Sequence, residues 1–151
     1  MGARQAPAAN SALIAEAVTW LEPWLATPLF QELRDASRAR RPIERNLEWT
    51  IAWPLAENHS TVVRGCTEAI YRDHRGRWRP VVVSTAAGDS QAERLRLLLS
   101  GVAALQRGFD PGGPGWWVRL VPGGKPVVDV QIPLSHAAIE HSVIRWLEQG
   151  K

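Results

Sequence analysis

The succession of periodicities along the chain predicts an α/β fold: helices flank a mixed central sheet, around an αβββαβ core with extra N- and C-terminal helices. Three observations carry this expectation. Residues 45–54 alternate strictly, with Leu47, Trp49, Ile51 and Trp53 on one face, the period of a strand. Two further strand-like runs, 61–71 and 77–84, are joined by Asp73-His74-Arg75-Gly76, a turn with glycine where a positive φ is expected. After Asp89 and Ser90, either of which can cap a helix, Leu95, Leu98, Leu99, Val102 and Leu105 recur at helical spacing to about Arg107.

The remaining elements follow from similar signals. Ser11 can cap a first helix with Leu13, Ala17, Val18 and Leu21 on its apolar face, interrupted by Pro23. Thr27-Pro28 has the cap-then-proline signature of a second helix to about Arg40, with Leu29, Phe30, Leu33 and Ala36 buried. Beyond the loop at 109–115, strands at 116–121 and 126–132 flank a Pro-Gly-Gly-Lys turn. Ser135 caps a last helix with Ile139, Val143, Trp146 and Leu147 inward, ended by Gly150. Residues 1–10, rich in alanine, are expected as a disordered or tag-like tail, and 11–150 as one domain.

Composition narrows the class. With 45% hydrophobic and 22% charged residues, the chain belongs with packed globular domains rather than disordered ones. No apolar run approaches the roughly 18 residues of a membrane span, and the first residues lack the continuous apolar segment of a secretory signal. The single cysteine, Cys66, precludes an internal disulfide and suits a reducing compartment, so a cytoplasmic location is expected. Of 18 basic residues only Lys125 and Lys151 are lysines; the rest are arginines, which suit planar, bidentate contact with phosphate or carboxylate. His59, His74, His136 and His141 show no metal-ligand spacing.

The stretch around the central hairpin carries the most information. It contains Arg64-Gly65-Cys66-Thr67-Glu68 on the second strand and Asp73-His74-Arg75-Gly76-Arg77-Trp78 in the turn. Val82-Val83-Ser84-Thr85 follow on the third strand and Arg94-Leu95-Arg96-Leu97-Leu98 on the next helix. Over roughly residues 28–132 this order and spacing resemble the PD-(D/E)XK superfamily, in particular the RecB-like nuclease domain of bacterial RecB- and AddA-type helicase-nucleases. That branch shows a glutamate before the first strand, G-x-x-D on the second, D-x-x-G-x-W in the hairpin, D-Y-K-T on the third and Q-L-x-x-Y on the helix.

The resemblance implies a restriction-endonuclease-like fold and, in active members, Mg²⁺-dependent phosphodiester hydrolysis. Two carboxylates hold the metal, and a lysine helps position and polarise the attacking water. At the matching positions this chain has Glu44 near the first strand, Glu68 in place of aspartate, Val82 in place of the second carboxylate, Ser84 in place of lysine and Arg94 in place of glutamine. Neither a valine nor a serine supplies what metal capture and charge compensation need. The expectation is therefore a degenerate site with no metal and no cofactor, with Glu68 paired to Arg64 and Cys66 as a small core residue.

Three functional readings stand at this point. In the first, the domain is a catalytically inactive nuclease fold that serves a DNA helicase or recombination-repair protein as scaffold or DNA guide. Its partners are then helicase domains of the same or a neighbouring chain, and DNA, with no membrane. Candidate nucleic-acid contacts are Arg34, Arg38 and Arg41, spaced as one helical stripe, together with Arg64 and an exposed Trp117 for base stacking. In the second, migrated ligands, Glu68 with Glu44 or Glu48 and with Asp73 or Asp89, make a divergent Mg²⁺-dependent deoxyribonuclease. In the third, the fold is a protein-interaction domain with no nucleic-acid role.

Overall fold

The computed structural model describes residues 6–56, 59–85, 91–110, 114–120, 126–130, 132 and 136–149. Their elements run α1 (Ala6–Leu25), α2 (Pro28–Arg38), β1 (Ile43–Ala56), β2 (His59–Arg72), β3 (Trp78–Ser84), α3 (Gln91–Gln106), β4 (Gly115–Arg119), β5 (Val127–Val130) and α4 (His136–Gln149). The strands form one five-stranded sheet in chain order. β1, β2 and β3 make an antiparallel meander, β3 and β4 are parallel, and β5 returns antiparallel to β4. The parallel step is the one that needs a crossover, and α3 supplies it. The sheet is thus mixed and the α2-to-β4 order is αβββαβ, as the periodicities predict.

Two apolar layers sandwich the sheet. On one face Trp49, Ile51, Val82 and Trp117 pack with Leu97, Leu99 and Val102 of α3 and Val143 of α4. On the other, Tyr71, Val81, Trp116 and Val118 pack with Leu29 and Ala36 of α2. Alternation along β3 explains the split, because Val81 and Val82 point to opposite layers. Gly65 is fixed by the first layer: a Cβ there would lie 2.3 Å from the buried ring of Trp49, its cross-strand partner.

α2 begins as its signature predicts, with Thr27 Oγ1 accepting from the Phe30 amide at 3.3 Å. It ends in a Schellman motif: Arg40 takes a left-handed φ of 52°, and the amides of Arg40 and Arg41 donate to Ser37 and Ala36 carbonyls. α3 buries a broader arc than the leucine stripe suggests. Leu97, Ser100, Ala103 and Ala104 lie inside with Leu99 and Val102, while Leu95, Leu98 and Leu105 are only partly covered. The caps Asp89, Ser90 and Ser135, the PGGK turn and the terminal Gly150 lie outside the described residues.

α1 departs most from expectation. It starts at Ala6, inside the expected tail, and continues through Pro23. The proline lies in the last turn, where it removes only the bond to the Thr19 carbonyl. Leu13, Val18 and Leu21, the expected buried face, are 64%, 45% and 41% exposed. With Ile14, Trp20 and Leu25, also exposed, they form an apolar flank that no described element covers. It is tied at its C-terminal end, where Trp24 meets Phe30 edge-on at 5.3 Å.

The hairpin turn is organised by one side chain. Asp73, 2% exposed, accepts the Arg75 and Arg77 amides on Oδ1 at 2.8 and 3.0 Å. Its Oδ2 accepts Arg77 Nε and Nη2 at 3.0 and 2.8 Å, and Gly76 supplies the positive φ of 80°. Burial disfavours the Asp73 carboxylate, but the Arg77 amide and guanidinium and the Arg75 amide outweigh it and hold the group below the usual carboxylate range. A depressed folded-state pKa stabilises the fold above the unfolded-state value of about 3.9 and loses that contribution as pH falls through the folded value. We expect Asp73→Asn to cost about 2 kcal/mol at neutral pH. Thermal melts at neutral pH and near pH 3 check this: the gap between wild type and variant narrows in acid.

Candidate functional site

Strands β2 and β3 pair from Arg72–Trp78 to Ala69–Val81 and then part, leaving a fork whose arms are Cys66–Glu68 and Val82–Ser84. The β1–β2 register skips one position here, Asn46 opposite Glu68, and Asn46 has a left-handed φ of 51°. This distortion breaks the alternation of β2. Thr67 and Ile70 both face α3, whereas Glu68 and Ala69 both line the α2 side.

Arg96 of α3 fills the fork. Its Nε donates to the Cys66 carbonyl at 3.3 Å and its Nη1 to the Val83 carbonyl at 3.2 Å. Nη2 pairs with Glu68 Oε1, and Nη1 reaches Glu93 Oε2 at 3.2 Å. Glu68 Oε2 closes the set by accepting the Val83 amide at 3.0 Å. Burial pulls the Arg96 guanidinium below its ordinary value. A buried relay aims the arginine: Trp49 Nε1 donates to Thr67 Oγ1, Thr67 to Ser100 Oγ at 2.7 Å, and Ser100 to the Arg96 carbonyl at 2.8 Å.

Val82 is fully buried in the α3 layer, and Ser84 is 5% exposed, its Oγ enclosed without a hydrogen-bond partner. Glu44 stands opposite Ile70 and Glu48 opposite Cys66, on either side of Glu68 along the strand. Asp73 is committed to the hairpin turn, and Asp89 lies outside the described residues. Among the described residues no group of three His, Cys, Asp or Glu could hold a metal ion. Magnesium wants several oxygen donors in octahedral array. The fork offers two carboxylates, Glu68 and Glu93, both already paired to the one Arg96 guanidinium, so these residues do not fit that ion.

Several expectations are corrected. Glu68 pairs with Arg96, across the fork, instead of with Arg64, which is exposed. Cys66 is half-buried beside the fork, its thiol 3.7 Å from the Thr67 carbonyl. Trp117 is 1% exposed within the α3 layer, so no ring face is offered to a base; Arg119 covers it at 5.0 Å. Arg94 is exposed on α3, and Arg96, two residues on, is the functional neighbour that the motif alignment missed. A signal for it existed: Glu93, Arg96 and Ser100, at spacings of three and four, form a polar line on an otherwise leucine-rich helix.

The expected arginine stripe divides. Arg34 and Arg38 line a cleft of about 490 Å³ between α2 and the sheet, with Arg45 on its rim, Trp24 and Val83 on its walls, and Glu68 within. Arg64, opposite Thr50, is on this same side of the sheet. Arg41 is elsewhere, because the Schellman turn ends the helical spacing at Arg38. It lines a separate cavity with Glu32, Asp35 and Asp73.

Arg96→Ala should remove four hydrogen bonds and leave the Glu68 carboxylate without its cation. For a half-buried pair we expect a loss of about 2 kcal/mol, read as a lower urea midpoint at unchanged m-value. A midpoint equal to wild type would show that the fork closes without the guanidinium.

No protein-family model and no curated protein matches this chain. One solved structure similar to it, "Crystal structure of SSO0001", has 16% sequence identity and a TM-score of 0.49. The alignment covers 95% of this chain and spans 62% of the neighbour's length. That degree of likeness is too low to carry a functional inference.

Proposed function

We propose that this is a catalytically silent domain of the RecB-like nuclease type, serving a DNA helicase or recombination-repair protein as scaffold and as a guide for single-stranded DNA. The observation that carries the reading is the Arg96 guanidinium on Glu68 and on the Val83 carbonyl, where an active relative would need a divalent cation. An arginine supplies positive charge to hold the strand ends but offers neither exchangeable water ligands nor a site for a developing phosphorane. Val82 and Ser84 remove the second carboxylate and the lysine together.

The cleft beside the fork supports the guiding role. Arg34, Arg38 and Arg45 present cations along an apolar floor, and Arg64 extends the positive side beyond it. Such a surface tracks a phosphate backbone without reading sequence. The exposed apolar flank of α1, with Leu13 and Ile14 each 64% exposed, suits a domain seated against a neighbour.

Two measurements test this. The purified domain should cleave neither single- nor double-stranded DNA with Mg²⁺ or Mn²⁺, and Mn²⁺ titrated into it should show no bound signal by paramagnetic resonance. Metal-dependent cleavage that vanishes in Glu68→Ala would overturn the proposal. Fluorescence anisotropy with a labelled oligothymidylate should show salt-dependent binding. A combined Arg34→Gln, Arg38→Gln and Arg64→Gln change should weaken it about tenfold or more and flatten the salt slope. Equal affinity in the variant removes DNA guidance from the reading.

A further inference from the structure

At the opposite end of β3 from the fork lies a second and larger cleft of about 840 Å³, between the hairpin turn, the start of α2 and the edge of β4. Its polar lining is Glu32, His74, Arg75, Arg77 and Arg79, with Trp116 as its aromatic wall. The charge comes from two elements: Arg75 and Arg77 belong to the turn and Arg79 to β3, and all three line the cleft.

The three guanidinia are not equivalent. Arg77 is held by Asp73, as described above. Arg79 is 5% exposed, pinned by Nε to the Pro114 carbonyl at 2.7 Å and by Nη1 to Glu32 at 3.1 Å, and stacked over Trp116 at 4.4 Å. Its Nη2 is enclosed with no hydrogen-bond partner. Such a donor is costly to bury unpaired, and the side chain that carries it lines the cleft. Arg75 is exposed, and no acidic side chain among the described residues pairs with it. Glu32, the one carboxylate on the lining, is already spent on Arg79 and on the Tyr71 hydroxyl at 2.5 Å. The cleft is therefore net positive, and the N-terminal end of α2, at Thr27 and Pro28, adds its dipole from one side.

We propose that this cleft binds a small organic phosphate, with the phosphate on Arg75, Arg77 and Arg79 and the organic portion in the remaining volume beside Trp116. A fork of guanidinia matches phosphate oxygens in geometry as well as in charge. The volume falls within the range of small-ligand pockets and well exceeds a bare phosphate ion. This assignment is independent of the nuclease-like fork, which lies at the other end of the strand.

Isothermal titration of the whole chain with inorganic phosphate, adenosine 5′-monophosphate and adenosine, at matched ionic strength in chloride, tests it. Binding of both phosphates is expected, with the nucleotide tighter and adenosine silent. Equal affinities for the two phosphates would assign the site to the free ion, which keeps the anion site and removes the organic portion. Arg75→Gln, at an exposed position that leaves the fold intact, should weaken phosphate binding about tenfold, the loss of one charge-assisted contact. Arg79→Lys, which keeps the charge but loses the fork, should also weaken it, with circular dichroism confirming that the variant is folded. No heat above the chloride control, or binding unchanged in Arg75→Gln, overturns the proposal.

Discussion

Beyond the Ala69–Val81 pair, β2 and β3 diverge, and the carbonyls of Cys66 and Val83 and the amide of Val83 face a gap with no ladder between them. Arg96 and Glu68 together satisfy all three, one as donor and one as acceptor. Buried backbone groups without partners are expensive, so this side-chain bridge is what lets the sheet splay at all. It also pins the N-terminal half of α3 over the gap, and α3 is the crossover that sets β4 parallel to β3. The Trp49–Thr67–Ser100 relay then locks the same helix to β1 and β2. The local solution at the fork and the topology of the sheet are therefore one constraint.

The opposite end of β3 obeys a different logic. There Glu32 of α2, Tyr71 of β2, Arg79 of β3 and Trp116 of β4 form a polar cluster within an apolar layer. Burial, and the hydrogen bond to the Glu32 carboxylate, push the Tyr71 hydroxyl well above its ordinary value, so it stays a neutral donor. A buried charge pair of this kind adds little net stability, but breaking one partner strands the other. It ties α2 to β2 and β3 through Glu32.

The order of elements and the sheet were legible because each has a period that only one backbone conformation satisfies. The alternation of Leu47, Trp49 and Ile51 and the turn at Asp73–Gly76 are the clearest cases, and the structure adds why the turn needs its aspartate. Burial was less legible where helical stripes were ambiguous. The apolar flank of α1 stays exposed among the described residues, and α3 buries small residues such as Ala103 and Ala104 that a count of leucines passes over. At the site, that Val82 and Ser84 carry no charge could be read from residue types alone. The polar line of Glu93, Arg96 and Ser100 was legible too, but its partner was not, because the pairing with Glu68 depends on a strand distortion at Asn46 and on a helix packing across a gap. Trp117 shows the same limit: two adjacent tryptophans on a strand must face opposite ways, but whether either reaches solvent depends on layers that cover both faces.

Val82 has one further consequence. Its side chain lies in the layer of Leu97, Val102 and Trp117, so an acidic residue there would enter hydrocarbon before it could meet any cation. A lysine at Ser84 would face the same enclosure, and neither change helps while a guanidinium already occupies the fork. A charged group at this sheet edge would therefore have to come from positions other than 82 and 84, and would meet the Arg96–Glu68 pair first.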